Sequence, residues 1–337
     1  MIKDLYIKNF KGFDSIKIDN LKKINFLVGK NNSGKTSLLE SIMLILSQSR
    51  INIIENIKNI SRIKENKIEI KTLFYNFDYN NSINFNYNKY DNTNYDININ
   101  PILKDGKIFN DDNIELNYSI IITNEASDSI EEKKLTIPNI NNTIYMMNRK
   151  NENIDNKTEV YIPNIIEYQS ISNYLIEIIK NKNEQQLIEM LSFFNKNIKT
   201  VNVLKNDIYL NIEGINELVL LNLMGSGLKK YLSIILPIIV NKFSTILADE
   251  MENGLDKESI INLLKNILKL SRNNDTQIFF TIENLEILKL LSEIVNNEEF
   301  NDIKETVNII NIVNTENDGF KSYNYNTDNL NELTESI

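Results

Sequence analysis

The sequence predicts an α/β protein, on three observations. An apolar run passes through a glycine loop into an apolar segment in "INFLVGKNNSGKTSLLESIMLILS". A second buried-strand run, Thr245-Ile246-Leu247-Ala248, ends in Asp249-Glu250 about two hundred residues later. Strand and helix patterns alternate again over residues 199–337.

The first elements are two short strands, near Lys3–Phe10 and Ser15–Ile18. Ile24 to Val28 reads as a short buried strand, and Thr36 to Ser49 as a buried helix free of Gly and Pro. Between them Gly29-Lys30-Asn31-Asn32-Ser33-Gly34-Lys35-Thr36 fits G-x-x-x-x-G-K-[ST] without a mismatch. Such a loop aims backbone N–H groups at a phosphate, and the helix start adds partial positive charge. Gly29 and Gly34 permit the required backbone angles. Asn31, Asn32, Ser33 and Ser37 complete the cradle. Lys35 is placed for the β- and γ-phosphates of ATP, and the Thr36 hydroxyl for Mg²⁺. The bland alternative is a chance glycine loop, but strand, loop and helix stand in the right order.

Residues 51–165 read as a strand-rich section with loops such as Lys104-Asp105-Gly106. Its "NFDYNNSINFNYNKYDNTNYDININ" is Asn-rich, yet Ile83-Asn84-Phe85-Asn86-Tyr87 alternates with period two. We therefore read A/T-rich codon usage acting on strands rather than a prion-like tract. "ISNYLIEIIK" and "EQQLIEMLSFFNK" carry helical spacing and form a helical lobe over 166–198. The expected organisation is a core from 1–50 and 199–337 with an insert at 51–198.

Composition removes several chemistries. The 337-residue chain has no Cys, His or Trp, so thiol, Ser-His-Asp and ordinary zinc catalysis are excluded. Formal net charge is −9, which disfavours a globally basic nucleic-acid binder. Lys8, Lys11, Lys22, Lys23 and Lys30 suggest one local basic face, first for attracting phosphate and second for a DNA contact. No secretory pattern and no membrane-length apolar run is present; Ile234 to Val240 contains Pro237 and is closed by Asn241-Lys242. A cytoplasmic location is the expectation.

A phosphate loop needs a carboxylate at the end of a buried strand. Asp249 is placed for the Mg²⁺ shell. Glu250, one residue on, points to the other face of an extended chain and is placed to polarise water. By itself such a pair could be a solvated strand end. In "NLMGSGLKKYLSIILPIIV" Gly225-Ser226-Gly227 stands ahead of an amphipathic helix, with Ser226 as its N-cap. This is a second anion-binding terminus, or an ordinary capped helix. A single site rarely needs two, which suggests sharing between two subunits.

The order of phosphate loop, insert, "MGSGLKKYLSIILPI", "TILADEMENGLD" and "QIFFTIENLEIL" resembles the ABC-type ATPase heads of the RecF, structural-maintenance-of-chromosomes (SMC) and OLD groups. Compact bacterial AAA family ATPases are the nearest kind. The opening residues 1–50 and the final "YNYNTDNLNELTESI" have the same look. The resemblance implies a P-loop fold with a mixed β-sheet flanked by helices. It implies Ser226 and Gly227 as the signature that touches the γ-phosphate of an opposing subunit, and Asp256 as the seam aspartate. Two heads would join around two Mg-ATP as a homodimer or higher oligomer and control an effector from a neighbouring gene, in antiphage defence or DNA maintenance. Ser226 replaces the acid common in relatives, and Leu228 stands where transporters carry a second glycine. Glu283 falls at the usual histidine position in Thr281-Ile282-Glu283-Asn284. A carboxylate cannot donate to the γ-phosphate, so slow hydrolysis is expected. A nucleotide-binding scaffold with negligible turnover and an OLD-type nuclease are the alternatives.

Overall fold

The computed structural model describes residues 1–47, 53–54, 56–57, 60, 62–64, 67–78, 80–102, 115–124, 129–137, 159–162, 168–205, 207–240, 243–315 and 318–328. The Lys104-Asp105-Gly106 loop, Asn241-Lys242, the Ser49 end of the first helix and the last residues of the tail lie outside them. The strands are β1 (Ile2–Phe10), β2 (Phe13–Ile18), β3 (Ile24–Val28), β4 (Arg62–Lys64), β5 (Lys67–Glu69), β6 (Ile83–Lys89), β7 (Thr93–Ile102), β8 (Glu115–Asn124) and β9 (Ser129–Ile137). They continue with β10 (Glu159–Ile162), β11 (Ile198–Leu204), β12 (Asp207–Ile212), β13 (Val219–Leu220), β14 (Thr245–Ala248), β15 (Gln277–Thr281), β16 (Val307–Thr315) and β17 (Gly319–Tyr325). The labelled helices are α1 (Lys35–Ile45), α2 (Tyr168–Lys180), α3 (Glu184–Leu191), α4 (Ser226–Val240), α5 (Lys257–Ser271) and α6 (Glu286–Val295).

Contacts divide the chain into two units, residues 1–22, 29–157 and 310–324 in the first and 23–28, 158–309 and 325–337 in the second. The first is built on an antiparallel sheet in the order β2-β1-β6-β7-β8-β9. Its Asn-rich strands obey the period-two rule. Ile83, Phe85, Ile97 and Ile99 are buried, while Asn84 faces Asn98, Asn86 faces Asp96 and Asn88 faces Asn94 on the opposite, polar side. The asparagines occupy the face that water can satisfy, in agreement with the strand reading. Helix α1 buries Leu38, Leu39, Ile42, Met43, Leu44 and Ile45, and the Tyr118 hydroxyl of β8 donates to the Leu44 carbonyl at 3.3 Å. Phe320 of β17 meets Phe13 edge-on, with centroids 4.9 Å apart.

The second unit is built on the sheet β10-β14-β15-β3, which continues into β16. β10, β14, β15 and β3 run parallel to one another. Parallel strands buried on both faces read as continuous apolar runs, which explains Ile246, Leu247, Ala248, Ile278, Phe279 and Phe280. Ile171 and Leu175 of α2 and Leu187 of α3 share one core with Tyr231, Leu232 and Ile235 of α4. A small sheet β11-β12-β13 precedes α4. Among the described residues no helix is long and apolar enough to cross a membrane.

Candidate functional site

The phosphate loop follows β3 directly, and α1 begins at Lys35. Gly34 has φ +91, and a Cβ there would stand 2.6 Å from the Phe13 ring. A Cβ on Gly29 (φ +144) would collide with the Ile312 carbonyl and stand 2.6 Å from Ser33 Oγ. Both glycines are therefore obligatory, for space as well as for angle. The helix start has no capping side chain and no acid in its first turn, which leaves it suited to an anion. Lys35 is 7% exposed, and its ammonium donates to the carbonyls of Gly29 at 2.8 Å and Lys30 at 3.1 Å. Ser33 Oγ is buried without a hydrogen-bond partner among the described residues. Asn31 and Asn32 are exposed on the loop, Thr36 is exposed in the first turn of α1, and Ser37 is half-buried. The expected basic face is reduced, because the Lys11 ammonium pairs with Glu40 of α1 at 2.5 Å.

In the second unit the loops after β14 and β15 leave neighbouring parallel strands at the same end. Ligands of open α/β sheets bind at that end. Asp249 is nearly buried, and its Oδ1 accepts from the Thr281 hydroxyl at 2.6 Å. The same Thr281 oxygen accepts from the Glu250 N–H at 2.6 Å. Here one expectation is corrected. The strand stops at Ala248, and Glu250 has φ +45, so extended alternation does not aim its side chain. A non-glycine residue in the left-handed region is strained, and the Thr281 bond holds it there.

The electrostatics follow from this crowding. Burial raises the Glu250 pKa first, and the carboxylates of Glu283, Asp249 and Glu252 raise it further; Lys230 opposes them. Lys230 is 2% exposed, and its ammonium donates to the Asp249 carbonyl at 2.8 Å. Burial pushes its pKa down while Asp249, Glu250 and Glu252 pull it up. Among the described residues no group of three or more acids converges as a metal cage. A metal here would need ligands from a nucleotide and from water beside the Asp249 carboxylate.

The signature turn differs from expectation by one residue. Helix α4 begins at Ser226 itself, so Gly225 (φ +89) holds the cap position and Ser226 does not cap. Gly227 approaches the loop before α5 so closely that a Cβ would lie 2.7 Å from the Gly254 carbonyl. Asp256 is the N-cap of α5, accepting from the Ser259 N–H at 2.8 Å. That backbone bond holds its carboxyl below the usual range.

Three residues were missed by sequence reasoning: Thr281, Lys230 and Glu252. A polar residue closing the apolar run "QIFFT" was the available signal for Thr281, and a lysine on the apolar face of "SGLKKYLSIIL" for Lys230. Glu252 had none. Replacing Thr281 by Val should destabilise the chain by about 1–3 kcal/mol, since it removes the hydroxyl that accepts the Glu250 N–H and donates to Asp249 Oδ1. Serine at 281 should restore most of the loss. Denaturant unfolding of both variants checks this, and equal stability of the valine variant and wild type would refute it.

Residues 24–281 match the family described as "AAA domain, putative AbiEii toxin, Type IV TA system". An "ATP/GTP phosphatase" of Helicobacter pylori is 28% identical over 89% of this chain and 90% of its own length. The "DNA replication and repair protein RecF" of Clostridium acetobutylicum is 56% identical over 41 residues, 12% of this chain and 11% of that protein. A solved SMC head, bound to the C-winged helix domain of ScpA, aligns over 100% of this chain and 99% of its own at 13% identity, with a TM-score of 0.50.

Proposed function

We propose that this chain, which belongs to the AAA-domain family matched by residues 24–281, works as an ABC-type ATPase head of the RecF/SMC group. From that premise we propose that it is a slow ATP-hydrolysing switch whose heads pair around two Mg-ATP and control a partner protein. One observation carries the reading: parallel strands deliver Asp249, Glu250 and Thr281 to one edge, where a single hydroxyl ties the two acids together. The phosphate loop supports it. Its orphaned Ser33 oxygen, carbonyl-held ammonium and uncapped helix start all fit a polyphosphate.

In this proposal Lys35 binds the β- and γ-phosphates. Thr36 and Asp249 hold Mg²⁺, which neutralises charge on the phosphate oxygens when bound. Glu250 orients and deprotonates water, and its raised pKa suits a proton acceptor. Ser226 and Gly227 meet the nucleotide of a second copy. Asp256 lies at the seam between the copies. The family description names a toxin–antitoxin system and the RecF relative DNA replication and repair. Both support a partnered role, in antiphage defence or DNA maintenance. ATP turnover by the purified chain, with and without DNA, tests the reading; no turnover in either condition would leave the second reading, a nucleotide-binding scaffold. Glu283 favours that second reading, because its carboxylate adds repulsion where relatives place a donor.

A pH profile tests this arrangement. The charges of Glu283, Asp249, Glu252 and Lys230 act on Glu250. The base works above its pKa, so the acid limb of kcat should lie above the ordinary carboxylate range. Removing a neighbouring like charge lowers that pKa. Glu283→Gln should therefore move the limb to lower pH. A limb that stays in place would remove Glu283 from the surroundings of the base. Glu283→His should also raise kcat, by roughly tenfold or more if its new hydrogen bond acts in the transition state.

A further inference from the structure

The loops after β14 and β15 are joined at four consecutive residues. Asp249 Oδ1 takes the Thr281 hydroxyl, and the Glu250 N–H meets the Thr281 hydroxyl oxygen. The Met251 N–H donates to the Thr281 carbonyl at 3.2 Å. Glu252 Oε1 then accepts the backbone N–H groups of Glu283 at 2.6 Å and Asn284 at 3.1 Å. The first three contacts end at Thr281, the last residue of the strand. Glu252 is the one that reaches past the strand end and holds the segment leading to α6. That segment is set at its far side too, where Asn284 Oδ1 accepts the Glu286 N–H at 2.9 Å.

We infer that Glu252 is a positioning residue: its carboxylate latches the backbone of Glu283 and Asn284, and so fixes where Glu283 stands beside Glu250. The inference rests on the proposed role of Glu250 in activating water. A carboxylate suits this latch because it is acceptor-only, and charge-assisted bonds to N–H are stronger than neutral ones. Its second oxygen, Oε2, is buried with no hydrogen-bond partner among the described residues, so no second donor draws the group away. The Leu255 N–H donates to the Glu252 carbonyl at 3.0 Å, which fixes the backbone from which the side chain projects. Ile282 is held separately, its N–H donating to the Leu27 carbonyl at 3.0 Å, so without the latch it is the N–H groups of Glu283 and Asn284 that lose their acceptor and Glu283 that gains freedom to move.

Two substitutions separate the hydrogen bonds from the charge. Glu252→Ala removes both, whereas Glu252→Gln keeps an amide oxygen that can accept the two N–H groups. Amide hydrogen exchange across residues 283–284 reads the latch directly in the full chain. Glu252→Ala should raise exchange there by roughly tenfold or more, and Glu252→Gln should restore most of the protection. In steady-state turnover the alanine variant, by freeing Glu283 to move away from the base, should raise kcat by roughly severalfold while KM for ATP changes little, and glutamine should keep about the wild-type rate. A merely structural role would lower thermal stability without this split. If exchange at 283–284 is the same in wild type and alanine, the latch is wrong. If wild type hydrolyses no ATP, the proposed function fails, and the exchange measurement still decides the latch.

Discussion

Glu250→Gln is expected to lower kcat roughly a hundredfold or more, the ordinary contribution of a positioned general base, while Mg-ATP affinity stays within a few fold. The isosteric amide keeps the shape of the side chain and the Glu250 N–H bond to Thr281 at 2.6 Å. Only the ability to take a proton is lost. With the phosphate contacts intact and hydrolysis blocked, the paired state should accumulate. Light scattering should then show an ATP-dependent rise in mass that vanishes when Ser226→Arg is added. Ser226 sits at the exposed start of α4, so a long cation there obstructs an opposing surface without disturbing the core. A glutamine variant that turns over as fast as wild type would remove Glu250 from the chemistry. A mass independent of ATP in both proteins would remove the shared site.

Lys35→Ala should weaken Mg-ATP binding by roughly a hundredfold or more, on the scale of lost charge-assisted hydrogen bonds to an anion. The Lys35 ammonium is already within the loop, held by the carbonyls of Gly29 and Lys30. In the proposed reading a phosphate takes over the ammonium from those carbonyls. Alanine removes the charge and leaves two carbonyls short of a donor, so a modest loss of stability should accompany the loss of affinity. Calorimetric titration with Mg-ATP measures the first and thermal unfolding the second. Lys35→Met, which fills the space without charge, separates packing from electrostatics. Unchanged affinity in the methionine variant would mean that the loop does not bind phosphate through Lys35.

Much of the first half of this site was legible because it is local. Strand, glycine loop and helix lie within residues 24–45, and each step depends on neighbours in the chain. The glycines are read from the angles they permit, the helix from apolar spacing and the strand from a continuous apolar run. The Asn-rich strands were legible for the same reason: their alternation survives because one face is buried and the other is not. The turn before α4 was legible only to within a residue, since whether Ser226 caps or begins the helix depends on the first hydrogen bond of the turn and not on composition.

The sequence by itself determined the phosphate loop, the buried strand that ends at Asp249 and the absence of every histidine- or cysteine-based mechanism. Only the tertiary structure decided how the acids are used. Thr281 and Glu252 act across 31 and 32 residues of chain, and no local pattern encodes which side chain a neighbouring parallel strand will present. The left-handed backbone of Glu250 has the same origin. Its intrinsic preference is for other angles, and the hydrogen bond that its N–H donates to the Thr281 hydroxyl of β15 opposes that preference.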